Sequence, residues 1–449
     1  MCSLIALILV ITFSFSYARI LGVTNILYTD YGKFYHSQQL FLEGKNSYSP
    51  IFFVQTAPHS SSQKKPARLA VNLNPPFFTL LTFPFAYLSY SHALYLWILC
   101  SIFAGAISVL RIQKTLSPQN KPTLQSRLSI LLAFFAYFPT FASLQLGQVT
   151  LLLLPLLVLS WQSARNHQSI QVAMWLGIAA SLKPFIGLFA LYFLLRKEYR
   201  ALITFILTGG ICALFAVFFL GAADYHAYLQ GLHHITWAAS SWNVSLYGVL
   251  LRLFGGPESN AALFSLPKIL PLLYSILVLL LLGGIINFFH SCSDARLDDK
   301  RKVDLEFSMI LVAMLLISPL GWLYYFPFLS LPFLQLFYYA KQGNYPIFLF
   351  FNLGLFFITH QHSVKFNSQF THHPAQYVRH LLECLLKFHC FTQSNGMFIS
   401  HAPFNGHSFS NETGHDTPPS VILDLFYCVF TVSHRYYPYR HRYVVIHQD

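Results

Sequence analysis

The sequence predicts an all-α polytopic membrane protein, a bundle of roughly eleven transmembrane helices with an outer-face loop carrying an amphipathic helix. Two observations predict it. The 449 residues are 55% hydrophobic and only 10% charged, whereas a soluble surface needs about a quarter of its residues charged. The few lysines and arginines gather in short clusters between long apolar runs, which is the positive-inside pattern. A formal charge of +13 would suggest nucleic acid in a soluble chain. Here it is parcelled out among loops, and no nucleic-acid partner is expected.

Apolar runs long enough to span, some only when tilted or re-entrant, lie near 2 to 20, 77 to 110, 128 to 144, 149 to 161, 171 to 183 and 185 to 195. Others follow near 201 to 220, 268 to 290, 305 to 318, 322 to 340 and 345 to 359. The first, from Cys2 to Ala18, has no basic residue ahead of it and reads as a retained span rather than a cleaved signal peptide. Seven cysteines without a CxxC pair imply neither a disulfide framework nor a zinc site.

Loop charge sets the orientation. Arg111, Lys114, Lys121 and Arg127 share one side with Arg165, then with Arg196, Lys197 and Arg200, then with Arg296, Lys300, Arg301, Lys302 and Lys341. That side is expected to be cytoplasmic. The two long loops opposite, about 21 to 76 and 221 to 267, are of the length that usually carries function. In the first, Phe34, Leu40 and Phe41 at near-helical spacing beside Lys33, His36, Gln38 and Gln39 suggest a helix lying on the membrane surface.

Acidic residues are few enough for elimination. Only Asp30, Glu43, Asp224 and Glu258 fall outside among the first 359 positions. Asp294, Asp298, Asp299, Asp304 and Glu306 are expected in a solvated cytoplasmic loop beside basic partners. Asp30 stands at the start of the surface helix between Tyr28 and Tyr31, where it is either a helix cap or a functional carboxylate. Further polar residues recur at the outer span ends: Asn74-Pro75-Pro76, Gly147-Gln148, Lys183-Pro184, Asn243-Val244-Ser245, and Ser318-Pro319 with Trp322 and Tyr325. Taken singly these are helix stops and interfacial anchors. Together, on one face, with an intramembrane lysine among them, they outline a site.

These residues resemble glycosyltransferase family 87, polyprenyl-phosphate-mannose-dependent membrane enzymes of the type C superfamily. The resemblance runs from about 25 to 340. It is carried by Asp30-Tyr31, Tyr35, Gly44 and Tyr48, by Asn74-Pro75-Pro76-Phe77, and by Leu146-Gly147-Gln148-Val149. Ala179-Ala180-Ser181-Leu182-Lys183-Pro184, Asn243-Val244-Ser245-Leu246 with Arg252, and Ser318-Pro319-Leu320-Gly321-Trp322 complete it. A departure follows Trp322, where a His or Asp is expected and Leu323, Tyr324 and Tyr325 stand.

The resemblance implies a GT-C-like bundle in the cell membrane, with its active site on the extracytoplasmic face. It implies transfer of a hexose, mannose, from a polyprenyl phosphate donor to a lipid or glycan acceptor. Asp30 would be the base; Lys183 and Arg252 would face the phosphate, with His233 and His234 as second choice. Gln148 and Asn243 would hold sugar hydroxyls, and Tyr31 and Trp322 would line the site. Nothing in the residues calls for a metal or a cofactor. A transporter or flippase, and an O-antigen polymerase or ligase, remain alternatives. The first would bury charge at mid-membrane, and the second would lean on outer-loop Arg and His instead of an early Asp.

A composition break near 360 divides this membrane domain, 1 to 359, from a polar tail, 360 to 449. Twelve of the twenty histidines lie from His360 onward, at no spacing that fixes a metal geometry. The abrupt loss of apolar periodicity is what a shifted reading frame or a recent fusion produces.

Overall fold

The computed structural model describes residues 30–49, 52–56, 66–68, 72–117, 122–233, 237–255, 262, 264, 266–294, 297–341 and 442–445. The expected spans at 2 to 20 and 345 to 359, and the tail apart from 442–445, lie outside these residues. The described helices all fall within one compact unit.

The described chain opens with α1, Asp30–Leu42, and continues through two short strands, β1 Phe52–Thr56 and β2 Pro66–Arg68. These pair antiparallel with Phe52 opposite Arg68 and Val54 opposite Pro66. A third strand, β3, is Arg442–Val445. Then come α2, Pro76–Thr82, and α3, Tyr90–Leu116, joined by a 3-10 turn from Phe83 to Tyr87. The expected single run at 77 to 110 is therefore two elements. Pro84 cannot donate a backbone hydrogen bond, and the chain turns there before α3 begins.

α4, Leu124–Ala136, and α5, Phe138–Gln145, form a broken pair bent by 64°. Pro139, in the first turn of α5, marks the break. α6, Thr150–Arg165, and α7, Ser169–Leu182, are followed by a 3-10 turn at Pro184–Leu188 and by α8, Phe189–Leu195. α9, Tyr199–Leu220, leads to α10, Ala222–His233, and α11, Leu246–Phe254. α12, Leu270–Asp294, α13, Asp299–Ile317, and α14, Ser330–Lys341, close the bundle.

Three of these helices are long and apolar enough to cross a membrane, and the bent α4–α5 pair makes a fourth crossing if counted as one. The other expected spans within the described residues are shorter or carry charge. α7, with 14 residues, rises about 21 Å at 1.5 Å per residue, less than the ~30 Å apolar thickness of a bilayer.

Burial separates two kinds of helix. Trp97, Trp161, Phe189, Phe193, Phe307 and Phe328 are fully buried. By contrast, α9 leaves Ile203, Ile206, Leu207, Ile211, Leu214 and Phe218 exposed along one side, and α12 exposes Leu272, Leu279 and Leu280. Such faces suit lipid, which costs an apolar side chain nothing. α7 meets α9 closely at Gly177, where a Cβ would lie 2.8 Å from Thr208 Cβ.

Two expectations are corrected here. Asp304 and Glu306 are buried rather than solvated. They lie on α13 one turn past its charged start, where helical periodicity turns them inward. Asp304 accepts from Trp161 Nε1 at 2.7 Å, pairs with Arg165 and accepts from Tyr339. Glu306 pairs with Arg196 at 2.5 Å, and Arg196 also holds Glu198 at 3.0 Å. The expected basic partners are right, and the expected solvation is not. Asp298 and Asp299 are exposed, as anticipated.

The amphipathic surface helix is also corrected. α1 is a helix, but its polar residues dock onto protein: Gln38 Nε2 donates to Thr82 Oγ1 at 2.8 Å and Gln39 Nε2 to the Ala86 carbonyl at 2.7 Å. Phe34 packs edge-on against Phe78 with centroids 4.9 Å apart. Hydrogen bonds to the 82–88 segment outweigh the exposure that their polarity suggested.

Candidate functional site

The turn between α5 and α6 positions Asp30. Gly147 sits at φ +64°, a conformation that favours glycine, and a Cβ there would come within 2.6 Å of Tyr31 Cβ. That close approach lets the Tyr31 amide donate to the Leu146 carbonyl at 3.1 Å. The first turn of α1 is thereby fixed on the bundle. Tyr31 is fully buried among Phe34, Tyr35, Tyr90 and Trp97, the last with ring centroids 5.1 Å away. Burial raises its phenol pKa.

Asp30 faces the opposite way from these rings in bonding terms. One carboxylate oxygen accepts from Gln148 Nε2, and the other pairs with Lys33 Nζ at 2.5 Å. The Asp30 side chain keeps 20% of its surface exposed and that of Lys33 keeps 24%, so the carboxylate is anchored yet reachable. Both bonds are to side chains, so Asp30 does more than cap its helix. Gln148 is buried, and its Oε1 has no hydrogen-bond partner among the described residues.

Lys183 comes to the same end of the bundle by a different route. α7 ends at Leu182, the Lys183 amide still donates to the Ala179 carbonyl at 2.9 Å, and Pro184 prevents further helix. The side chain is buried, with Nζ donating to Tyr325 Oη at 2.9 Å and lying 5.1 Å from that ring's centroid. Among the described residues no carboxylate lies within ion-pair distance of it. The 3-10 turn that carries Tyr325 packs against α5, which leads into the Gly147–Gln148 turn that holds Asp30. The carboxylate and the buried ammonium therefore lie at the same end of the bundle.

The remaining expected residues form a neighbouring structure. Asn243 is fully buried, with Nδ2 donating to the carbonyls of Ala238 and Pro319, both at 2.8 Å. Its backbone bridges to Trp322, and the Val244 amide donates to the Gly321 carbonyl at 2.9 Å. Arg252 donates to the carbonyls of Ser240 and Asn243, both at 2.8 Å. In this arrangement Asn243 and Arg252 fasten the 240–245 segment to the 318–322 turn. Trp322 is buried and stacks on Tyr324 with centroids 6.0 Å apart. The chain from Pro319 to Tyr325 thus links the Asn243 cluster to Lys183. His233, the last residue of α10, is exposed. His234 lies outside the described residues.

Sequence reasoning passed over one contributor, Lys33, which it read only as part of a polar helix face. The spacing of Asp30 and Lys33, three residues on a helix, is the signal that finds it. Tyr325 was named among the span ends, but its pairing with Lys183 has no local signal, because the two lie 142 positions apart. Asp224, another of the four acids expected outside, is buried and accepts weakly from the Ser47 amide at 3.3 Å, and desolvation raises its pKa. Among the described residues, no group of three or more His, Cys, Asp or Glu gathers for a metal.

Comparison with known proteins adds the following. Glycosyltransferase family 87 matches residues 72–319, more than half of the chain. Gln148, Lys183, Asn243 and Arg252 lie within that stretch, Asp30 and Tyr31 precede it, and Trp322 follows it. The polyprenol-phosphate-mannose-dependent alpha-(1-2)-phosphatidylinositol mannoside mannosyltransferase of Mycobacterium tuberculosis (strain ATCC 25618 / H37Rv) is 28% identical over 141 residues. That alignment covers 31% of this chain and 33% of the relative, so the similarity spans a third of the relative's length. No solved structure matches. A family match of this extent makes the chain a member of glycosyltransferase family 87.

Proposed function

We propose that this membrane glycosyltransferase moves a hexose, mannose, from a polyprenyl phosphate donor to a lipid or glycan acceptor outside the cytoplasmic membrane, with inversion. The observation that carries the reading is that Asp30 and Lys183 lie at one end of the bundle, a reachable carboxylate and a buried ammonium with no ion-pair partner among the described residues. The relative's dependence on polyprenol-phosphate-mannose supports the donor class.

In the proposed reaction Asp30 takes the proton from the acceptor hydroxyl as its oxygen bonds to the anomeric carbon. The bond from that carbon to the phosphate oxygen breaks, and the electron pair leaves with polyprenyl phosphate. Lys183 meets the growing negative charge, exchanging its neutral Tyr325 partner for phosphate oxygen. Lys33 holds the Asp30 carboxylate in place between turnovers. Gln148, already donating to Asp30, offers its unpartnered Oε1 to a sugar hydroxyl. Tyr31 and its rings keep water from one side of the base. Asn243, Arg252 and Trp322 hold the turn that presents Tyr325, and Arg252 reaches phosphate only if it releases its carbonyls.

The isoprenoid tail of the donor would lie along the exposed apolar helices while its phosphate reaches Lys183. The test supplies purified protein with sugar-labelled polyprenyl phosphate mannose, polyprenyl phosphate glucose or nucleotide-linked mannose, each with a membrane lipid extract as acceptor. Label transfer from the first alone is expected. Transfer from the nucleotide sugar alone overturns the donor assignment.

A further inference from the structure

At the end of the bundle remote from Asp30 lies a cavity of about 600 Å3, within the range that holds small ligands. α3 carries the chain between the two ends, its 27 residues rising about 40 Å from the Tyr90 end near Tyr31 to Leu116 at the cavity wall. The cavity therefore belongs to a different site. Its lining includes Arg165, Lys300, Arg301, Gln162 and Tyr339, with Asp298 as the one acid.

Two observations converge there. The cations outnumber their partners: Arg165 is engaged by Asp304, whereas Lys300 and Arg301 have no ion-pair partner among the described residues. Arg301 stacks over Tyr339, 4.9 Å from its centroid, and its Nε is buried without a hydrogen-bond partner among the described residues. Lys300 and Arg301 also lie in the first turn of α13, a 19-residue helix. The side chain of its N-cap, Asp298, takes up none of that turn's amides. Open amides at the positive end of a helix beside two uncompensated cations form an anion site.

The wall is preorganised. Gln162 Nε2 donates to Thr115 Oγ1 at 2.7 Å, and Tyr339, which carries Arg301, is anchored on buried Asp304. We propose that this cavity binds a phosphate ester anion, gripped by Lys300 and Arg301 over Tyr339, as an ancillary site separate from the transfer centre. A phosphodiester lipid headgroup and a soluble phosphate share that chemistry. Arg111, which donates to the lining residue Gln162, adds a further cation beside the cavity.

The test uses the full chain in nanodiscs of phosphatidylcholine, with phosphatidylglycerol titrated in one arm and inorganic phosphate in the other. Retained lipid is counted by native mass spectrometry, and amide exchange is followed across 298–304. Wild-type protein is expected to retain phosphatidylglycerol or to gain protection with phosphate. The pair Lys300→Gln and Arg301→Gln is expected to weaken this about tenfold or more, the scale of losing one or two charge-assisted hydrogen bonds. Arg301→Lys retains most of it. Lys197→Gln with Arg200→Gln removes equal charge from exposed positions at the same end and is expected to change it little. Protection by inorganic phosphate without lipid retention assigns the site to soluble anions. Equal loss in both double variants, or no response in either arm, overturns the site.

Discussion

Replacing Lys183 by Met is expected to separate stability from transfer. Methionine keeps the length of the side chain and removes its charge. In the fold, that charge is held by one hydrogen bond to a neutral phenol at 2.9 Å and by the face of the same ring at 5.1 Å. Such a bond contributes about 1.5–3 kcal/mol and the ring contact about 1–2 kcal/mol. Against them stands the desolvation of an ammonium without a carboxylate partner among the described residues, which costs several kcal/mol. Tyr325 keeps its ring contact with Tyr324, centroids 4.8 Å apart, after the change. The net change in stability should therefore stay within about 2 kcal/mol of wild type, of either sign. Transfer should fall on the order of a hundredfold to a thousandfold, the cost of removing a positive group from a developing oxyanion. Thermal melts in detergent and transfer of labelled mannose from polyprenyl phosphate, measured on one preparation, report both. Near-normal turnover would refute the reasoning, and so would transfer lost only in step with unfolding.

Gly147→Ala forces a Cβ against Tyr31 at a positive φ, so it should loosen α1, cost about 1–3 kcal/mol, and speed amide exchange at Tyr31. Unchanged exchange there would argue against the docking role. Arg165→Ala should cost about 3–5 kcal/mol by stranding buried Asp304, and a second change, Asp304→Asn, should recover much of that loss in a double-mutant cycle. Additive losses would show that the pair does not couple. Asp224 holds its proton to higher pH in the folded chain than its ordinary value of 3.8, because burial disfavours its charge. Ionisation therefore costs stability progressively as pH rises from that value through the raised one. Asp224→Asn should flatten this slope in melts across acidic to neutral pH, and an identical slope in the variant would remove Asp224 as its source.

Periodicity and loop charge made the bundle legible because both are local. The clusters at Arg165, Arg196 and Lys300 do lie at one end, and Gln148, Lys183 and Asn243 at the other, since alternate helix ends must sort that way. Element lengths were less legible. Prolines at 84 and 139 divide apolar runs that hydropathy alone reads as continuous. Asp304 and Glu306 were misread as solvated because their partners, Trp161, Arg165 and Arg196, lie more than a hundred positions away. The same separation hid the pairing of Lys183 with Tyr325. Asp30 was legible by scarcity, as one of few acids that loop charge assigns to the outer side. Its two anchors were only partly so, because Lys33 is a helical neighbour and Gln148 is 118 residues distant. Asn243 illustrates the converse: a polar residue at an outer helix end reads as a ligand, yet its amide is spent on the Ala238 and Pro319 carbonyls.

The central claim is that Asp30 is the base. Asp30→Asn keeps the shape and an acceptor for Gln148, and gives up only a partly exposed pair with Lys33, worth about 0.3–0.5 kcal/mol at that helical spacing. The direct measurement is turnover of labelled polyprenyl phosphate mannose by purified Asp30→Asn beside Asp224→Asn, with both variants shown to melt near wild type. The account predicts a loss on the order of a hundredfold or more at Asp30, the scale of general base catalysis, and a far smaller loss at Asp224. Near-normal turnover by Asp30→Asn would contradict it, reducing Asp30 to an anchor for α1.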